Sequence, residues 1–355
     1  MELIKSRTYQ NMISQIIEMS KHKLTILNGK TIIVTGATGM LGSCIVDALV
    51  LWNQKQSTPV KIVAVSRREA SAKKRFGYCW NESFFSFIEQ DICREIHDFP
   101  KQVDYIIHAA SNGDPVNFSK NPTETILANI LGSHFLLNYG KEHGLKRFLY
   151  ISSGEIYGDS NDNLDKFSEK YCGSINLSTS RACYPEGKRA AEVLCQCYLY
   201  QYHLDSVILR PCHLFGPTMT RQDSRAVSQF LWNAVRGENI VLKSSGDIER
   251  SHCYIADAVT AVFWVLKDGE SGKAYNIADP KYQMTIREFA EKSAEYGNSK
   301  IVFENPSSLE INGYSQRKRA VLSSLLLESL GWKPQKRSYS AILETIQILR
   351  ESEKI

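Results

Sequence analysis

Several patterns that mark large protein classes are missing from this 355-residue chain. Its nine cysteines (Cys44, Cys79, Cys93, Cys172, Cys183, Cys195, Cys197, Cys212 and Cys253) form no CxxC pair and no metal-ligand spacing, so no metal centre is expected. An odd number of cysteines, several inside apolar periodic segments, fits free thiols packing as small hydrophobes in a reducing cytoplasm. The first thirty residues mix Lys, Glu and Gln throughout and hold no apolar core of an export signal. No apolar run approaches the length of about eighteen residues that a membrane span needs, so no membrane partner is expected. A strong excess of one charge is missing too: 43 basic less 38 acidic residues leave +5. That balance suits phosphate-bearing small molecules and is too small to imply nucleic acid. Repeats and low-complexity tracts are also missing.

What is present is an ordinary globular composition, 43% hydrophobic and 23% charged, in a chain long enough for one large domain or two closely built ones. "TYQNMISQIIEMS" at 8–20 has apolar side chains at helical spacing and reads as a short amphipathic helix packed on the domain surface. From Lys30 the chain alternates short β-rich apolar runs ("TIIVTG", "KIVAVS", "SFIEQDI", "VDYIIHAA", "RFLYISS", "DSVILRP") with helical patterns near 41–52, 123–143 and 183–203. That alternation predicts an α/β fold: a Rossmann-type doubly wound parallel sheet covered on both faces. After about Gly216, polar loops interleave with helices near 224–236 and 256–267 and form a smaller C-terminal α+β substrate lobe. The expected division is 1–29, an N-terminal helical extension; 30–216, the dinucleotide-binding domain; and 217–355, the substrate lobe. The chain is expected to cross between the two lobes.

"VTGATGMLGS" leaves a buried strand and opens a helix. Glycines there permit a tight turn and let backbone approach a pyrophosphate, while the helix N-terminus supplies amide donors and positive dipole. Gly36, Thr38, Gly39, Met40 and Leu41 are therefore expected to hold a dinucleotide. No carboxylate ends the second strand; Ser66 is followed by Arg67 and Arg68. Two guanidiniums favour a 2′-phosphate, hence NADP, with NAD as the alternative. Asp91 and Ile92 end the third strand, where an adenine can be edged. Ala109, Ala110 and Ser111 end the fourth with small residues, as a backbone lying along a dinucleotide requires. "YISSGEIYG" ends another strand with hydroxyls and one carboxylate, and "RACYPEGKRAAE" follows. Tyr184 and Lys188, four apart on a helix, share a face. A lysine there is expected to lower the phenol pKa and hold a ribose hydroxyl, leaving Tyr184 to act as a base.

With these motifs the sequence resembles the extended short-chain dehydrogenase/reductase family, the nucleotide-sugar epimerases and dehydratases. The resemblance covers roughly residues 28–335: TGxxGxxG at 35–42, Asp91-Ile92, "HAAS", Asn129 in "ANILGS", "SSGEIYG", Tyr184/Lys188, "RPCHLFGP" and "GWKP". "SRACYPEGKRAAE" and the run from Arg225 through "RSHCYIAD" are similar to UDP-glucuronate decarboxylases, whereas Arg67-Arg68 looks like GDP-mannose 4,6-dehydratase, which uses NADP. The resemblance implies an enzyme acting on a nucleoside-diphosphate sugar through a transient 4-keto intermediate, with a recycled NAD(P). Tyr184 would take the proton of the 4-hydroxyl, Ser153 would hydrogen-bond that oxygen, and Asn129 would belong to the cofactor site. Glu155, where simple 4-epimerases usually carry a small or hydroxyl residue, would act at C5 in 4,6-dehydration or serve decarboxylation. Many dehydratases place Asp before that Glu; this chain has Gly154.

Arg225 and Arg250 match the family's nucleotide-diphosphate contacts. Arg210 reads as structural, Arg317-Lys318-Arg319 as a solvated run, and Cys183 as packing. The helices near 120–140 and 183–203 match a four-helix homodimer interface. A lyase is the favoured outcome. A 4-epimerase, an NADPH-dependent 4-ketoreductase and a non-catalytic NADP-binding regulator are the alternatives.

Overall fold

The computed structural model describes residues 3–113, 115–159, 164–307, 311, 319–335 and 339–353. Its main sheet has seven strands: β1 (Thr31–Thr35), β2 (Lys61–Ser66), β3 (Phe85–Glu89), β4 (Tyr105–His108), β5 (Arg147–Ile151), β6 (Ser206–Pro211) and β10 (Ala274–Ile277). All pair in parallel, in the order β10-β6-β5-β4-β1-β2-β3. The central strands carry near-continuous apolar runs because both faces are covered; Ile32, Ile33 and Val34 of β1 are all fully buried. The chain leaves β1 toward β3 on one side and returns through β4 on the other. The crevice beyond the carboxyl ends of β1 and β4 is thus the point where strand order reverses, the usual ligand position in such sheets.

The expected helices form close to their predicted bounds: α2 (Met40–Asn53), α5 (Pro122–Glu142), α6 (Cys183–Tyr202), α7 (Ala226–Arg236) and α8 (Ile255–Asp268). Proline at N1 starts α5, and left-handed His203 ends α6. Among the described residues, helices without a counterpart in the sequence reading include α3 (Glu69–Phe76), a short α4 (Pro115–Lys120) and α9 (Ile286–Gly297), which opens with a Thr285/Glu288 capping box. Strand β3 ends at Glu89, so Asp91 and Ile92 lie in the following turn, where Asp91 Oδ1 accepts from the Cys93 amide.

Beyond β6 lies the smaller lobe. There β9 (Glu249–Tyr254) pairs with β7 (His213–Phe215), β11 (Gln283–Thr285) and β13 (Arg319–Ala320), while β8 (Ile240–Leu242) pairs with β12 (Ile301–Phe303). No helix among the described residues is long and apolar enough to cross a membrane.

The N-terminal helix α1 (Arg7–Leu24) is longer than the predicted 8–20 and is seated in the core. Tyr9, Met12, Ile13, Ile16 and Leu24 share one buried face that packs on α2 and α8. Its anchor is polar. The Tyr9 hydroxyl donates to Asp47 on α2, which also accepts from Tyr78 (2.7 Å) and pairs with Arg75 of α3 (Nη1–Oδ1 3.0 Å). The Asp47 side chain has no solvent exposure and that of Arg75 keeps only 15%. Removing one partner of such a pair leaves a buried charge uncompensated. Arg75→Met is expected to lower unfolding free energy by about 3 kcal/mol, read from urea denaturation midpoints; a loss within experimental error would show that the two tyrosines satisfy Asp47 alone.

Candidate active site

The glycine turn is fixed by two close approaches. Gly36 has φ +64°, and a Cβ there would lie 2.8 Å from the Ala109 oxygen and the Ala110 nitrogen. At Gly42 a Cβ would lie 2.3 Å from the Gly36 oxygen, so α2 can start directly over the turn only without side chains. Gly39 is the exposed N-cap of α2, and Thr38 and Met40 beside it are half-buried. Leu41 is buried in the core. Across the crevice, half-buried Ala109, Ala110 and Ser111 keep the opposite wall low. Bare amides at a helix start, faced by small residues at the reversal point, fit a dinucleotide pyrophosphate. The smaller lobe braces this turn: Thr218 Oγ1 donates to the Met40 carbonyl (2.8 Å), and Arg225 Nη2 lies 3.2 Å from Met40 Sδ.

At the far end of the crevice, Ser66 is half-buried and Arg67 and Arg68 are exposed. Arg67 lines an open cleft of about 480 Å³ with Glu89, Asp91, Arg94 and His97. Arg68 is the N-cap residue of α3. Ile92 is buried and packs on Gly132 of α5, where a Cβ would meet its Cδ1 at 2.7 Å. Asn129 is fully buried. It accepts from Ser111 Oγ (3.0 Å) and Tyr150 (3.4 Å) and donates to the Thr125 carbonyl (2.8 Å), thereby holding Ser111 at the crevice wall.

Ser153, Tyr184 and Lys188 converge where β5 ends and α6 begins. Ser153 hydrogen-bonds the Tyr184 phenol and its Oγ also accepts from the Glu155 amide (3.1 Å). Lys188 is 2% exposed, and its Nζ donates to the Ile151 carbonyl at 2.6 Å. Burial brings the Lys188 ammonium down to about 7. The expected lowering of the Tyr184 phenol does not occur. Burial raises its pKa; the Ser153 hydrogen bond lowers it, Glu155 raises it, and Arg181 and Arg225 lower it, for a net upward shift. The physical reason lies in what helical spacing leaves unspecified. Lys188 shares a face with Tyr184 but stands 5.8 Å from its ring centre, bonded to a carbonyl, its own charge weakened by burial. His108 beneath them is held by Thr35 Oγ1 (2.8 Å) and is kept neutral by burial and by Lys188, at about 3.

Four contacts carried no clear sequence signal. Arg181, in the 3-10 turn before α6, pairs with Glu155 (Nη2–Oε2 2.8 Å). Phe118 of α4 stacks on Tyr184, with centroids 4.5 Å apart. His213 stands 3.4 Å from Arg250 Nη1. Leu322 fills the space beside Gly154, where a Cβ would meet its Cδ1 at 3.0 Å. Arg181 was visible inside the tyrosine motif as a charged residue near the start of a helix; the others depend on tertiary neighbours. Arg225 is forked on Asp223 (Nε–Oδ1 2.9 Å), and Arg250 is 8% exposed on β9.

Arg210 bonds Glu192, Tyr157 and the Glu169 carbonyl, a structural set, and Cys183 is buried with its thiol pushed up by burial. Of the basic run, Arg319 ion-pairs with Asp165 (3.3 Å) and Glu249 (2.9 Å) instead of being free in solvent, while Arg317 and Lys318 lie outside the described residues.

Lys188 has a testable consequence for stability. Its folded pKa near 7 lies below the ordinary 10.5, so between these values the unfolded chain binds a proton that the folded chain does not. Stability contributed at this site therefore rises with pH across that window. Lys188→Met is expected to flatten the rise in denaturation midpoint between pH 7 and 10.5; an unchanged slope would mean that the lysine stays charged in the fold.

The geometry agrees with the comparisons. Residues 32–278 match the family described as NAD dependent epimerase/dehydratase. UDP-glucuronic acid decarboxylase 3 of Arabidopsis thaliana is 32% identical over 304 residues, 86% of this chain and 84% of the relative. A dTDP-glucose 4,6-dehydratase of Streptomyces venezuelae with NAD bound superposes with TM-score 0.77 at 20% identity, covering 91% of this chain and 98% of that one. The UDP-glucuronic acid 4-epimerase of Bacillus cereus, in complex with UDP-glucuronic acid and NAD, gives 0.74 at 20%, covering 91% and 99%. The matched span runs from β1 through β10 and takes in the glycine turn, the Ser153/Tyr184/Lys188 cluster and Arg250, and the chain belongs to the NAD dependent epimerase/dehydratase family.

Proposed function

We propose that this protein decarboxylates a nucleoside-diphosphate hexuronic acid, UDP-glucuronate being the first candidate, through a transient 4-keto sugar. The observation that carries the choice is the bare backbone at Gly154. Expelling a 6-hydroxyl as water calls for a proton donor next to Glu155, and at that position the chain has no side chain and Leu322 Cδ1 stands 3.0 Å from where a Cβ would be. Loss of carbon dioxide needs no such donor. The plant decarboxylase relative supports the same choice.

In this reading Ser153 and Tyr184 hold the 4-hydroxyl, and Tyr184 accepts its proton as the C4 hydrogen leaves. A nicotinamide dinucleotide held over the glycine turn at Gly36 and Gly39 would supply the hydride acceptor and donor. Once C4 is a ketone, the C6 carboxylate is β to it. The C5–C6 bond breaks, carbon dioxide departs, and the electron pair spreads from C5 onto the ketone oxygen beside Ser153. C5 then takes a proton from solvent water, and Tyr184 gives its proton back to O4 as C4 is reduced. Because burial raises the phenol pKa, Tyr184 is protonated in the empty site, so its activation must accompany ligand binding. Arg225 and Arg250 serve as cations for the diphosphate.

NADP is favoured on Arg67, which lies with Arg94 and His97 in the cleft beyond Ser66 and shares it with the carboxylates of Glu89, Asp91 and Glu95. A cytoplasmic setting suits nine free cysteines. The division at residues 30 and 217 is retained as functional organisation. Pairing of two copies through α5 and α6 is supported by exposed Leu127, Val193 and Tyr200 on those helices.

The test is incubation of purified protein with UDP-glucuronate, UDP-glucose, dTDP-glucose and GDP-mannose, reading product mass without added cofactor. Carbon dioxide loss from UDP-glucuronate alone is expected. Loss of water from a hexose, or isomerisation without mass change, would refute the decarboxylase reading. Tyr184→Phe should lower turnover at least about a hundredfold while retaining bound dinucleotide. The dinucleotide released on denaturation, weighed in the same preparations, should be NADP, with sedimentation reporting two chains per particle.

A further inference from the structure

We propose that Arg181 is the contact for the substrate's C6 carboxylate and that it selects hexuronates over neutral hexoses; this rests on the decarboxylase reading above. Arg181 belongs to the 3-10 turn Ser180–Ala182 that leads directly into α6, so its position relative to Tyr184 is set by one continuous piece of backbone. Its guanidinium is held on two further sides. Nη2 meets Glu155 Oε2 at 2.8 Å, and the guanidinium carbon lies 4.6 Å from the centre of the Phe118 ring. Phe118 in turn stacks on Tyr184 at 4.5 Å with 25° between the planes. Both partners of the ion pair keep under a fifth of their side-chain exposure, 18% for Arg181 and 17% for Glu155. The pair is thus sheltered but not sealed from the crevice, and its charges reach the phenol: Glu155 raises and Arg181 lowers the Tyr184 pKa.

A hexuronate whose O4 sits between Ser153 and Tyr184 carries its carboxylate only two bonds from C4. That group arrives beside Glu155, and two carboxylates at one site disfavour each other's ionised forms. A guanidinium removes the conflict. It offers five N–H donors in a planar fork, so one edge can keep Glu155 while another takes the substrate oxygens. A lysine, as a point charge with no fork, cannot hold both with the same geometry. Phe118 supports the plane of the fork from one face, which limits its rotation. The hydroxymethyl of a neutral hexose brings no charge and gains nothing from this arrangement. The other arginines near the site have different neighbours: Arg225 is forked on Asp223, and Arg250 stands beside His213.

The contact works on binding. The carboxylate loses its charge as carbon dioxide forms, so an interaction with that charge is strongest before the transition state. Removing it therefore raises KM for the uronate more than it lowers kcat.

The experiment measures affinity for UDP-glucuronate, UDP-glucose and UDP by calorimetry on the cofactor-loaded protein and its variants. Arg181→Met is expected to weaken UDP-glucuronate roughly tenfold to a hundredfold, the range of a lost hydrogen bond to a charged group. UDP-glucose and UDP should stay within about twofold, as expected where no charged contact is removed. Glu155→Gln, which removes the competing charge, should tighten UDP-glucuronate, and Arg181→Met should abolish that gain. Arg181→Lys should weaken the uronate less than Arg181→Met does, and it supplies the same ratio if the methionine variant does not fold. Equal weakening of all three ligands would overturn the proposal, because the arginine would then only hold the fold; so would an unaltered preference. Failure of the parent reading has a different signature: the unsubstituted protein would release no carbon dioxide from UDP-glucuronate.

Discussion

The approach of Gly36 to the backbone at Ala109 and Ala110 is the constraint on which the rest of the molecule depends. Parallel pairing of β1 with β4 brings two strand ends side by side, and at 2.8 Å the crevice floor has no space for a side chain. The absence of that side chain does three things. It lets α2 begin over the turn with its amides free, lets the chain reverse its order across the sheet, and leaves a trough along which a long ligand can lie. The smaller lobe is fitted to the same turn, with Thr218 and Arg225 both reaching Met40.

Around Tyr184 and in the lobe beside it, four charged groups are sheltered and face a partner. Lys188 rests on a carbonyl, Glu155 on Arg181, Arg225 on Asp223 and Arg210 on Glu192. Sheltering makes such contacts strong and makes a lost partner costly. It also raises the pKa of the Tyr184 phenol. The aromatic stack of Phe118 on Tyr184 contributes to that burial from a helix of only six residues.

The sheet and its helices were largely legible in the sequence because periodicity reports burial directly. "TIIVT", "KIVAVS" and "RFLYI" are apolar on both faces, and they became the interior strands β1, β2 and β5. Helices α5 and α6 were readable from spacing and from their stops. Short elements were not. Pro115–Lys120 is too brief and too polar to show a period, so the position of Phe118 over Tyr184 had no sequence signal. Pairings between loops were equally hidden: Arg181 with Glu155 and Leu322 with Gly154 join segments far apart in the chain. The effect of Lys188 on Tyr184 was misread because a shared helical face says nothing about which atom an ammonium will choose.

The ends of the fold are also clasped together. Ser6 and Thr8, at the start of α1, both donate to Glu351 on the last helix (2.6 and 2.7 Å), and the apolar face of α1 lies on the helix that carries the glycine turn. The strap therefore spans both lobes and closes the polypeptide into a ring-like topology without a covalent joint. A nucleotide-binding half cut out at the glycine turn would bare the seat of Met12, Ile13 and Ile16, so the two lobes share a single cooperative fate.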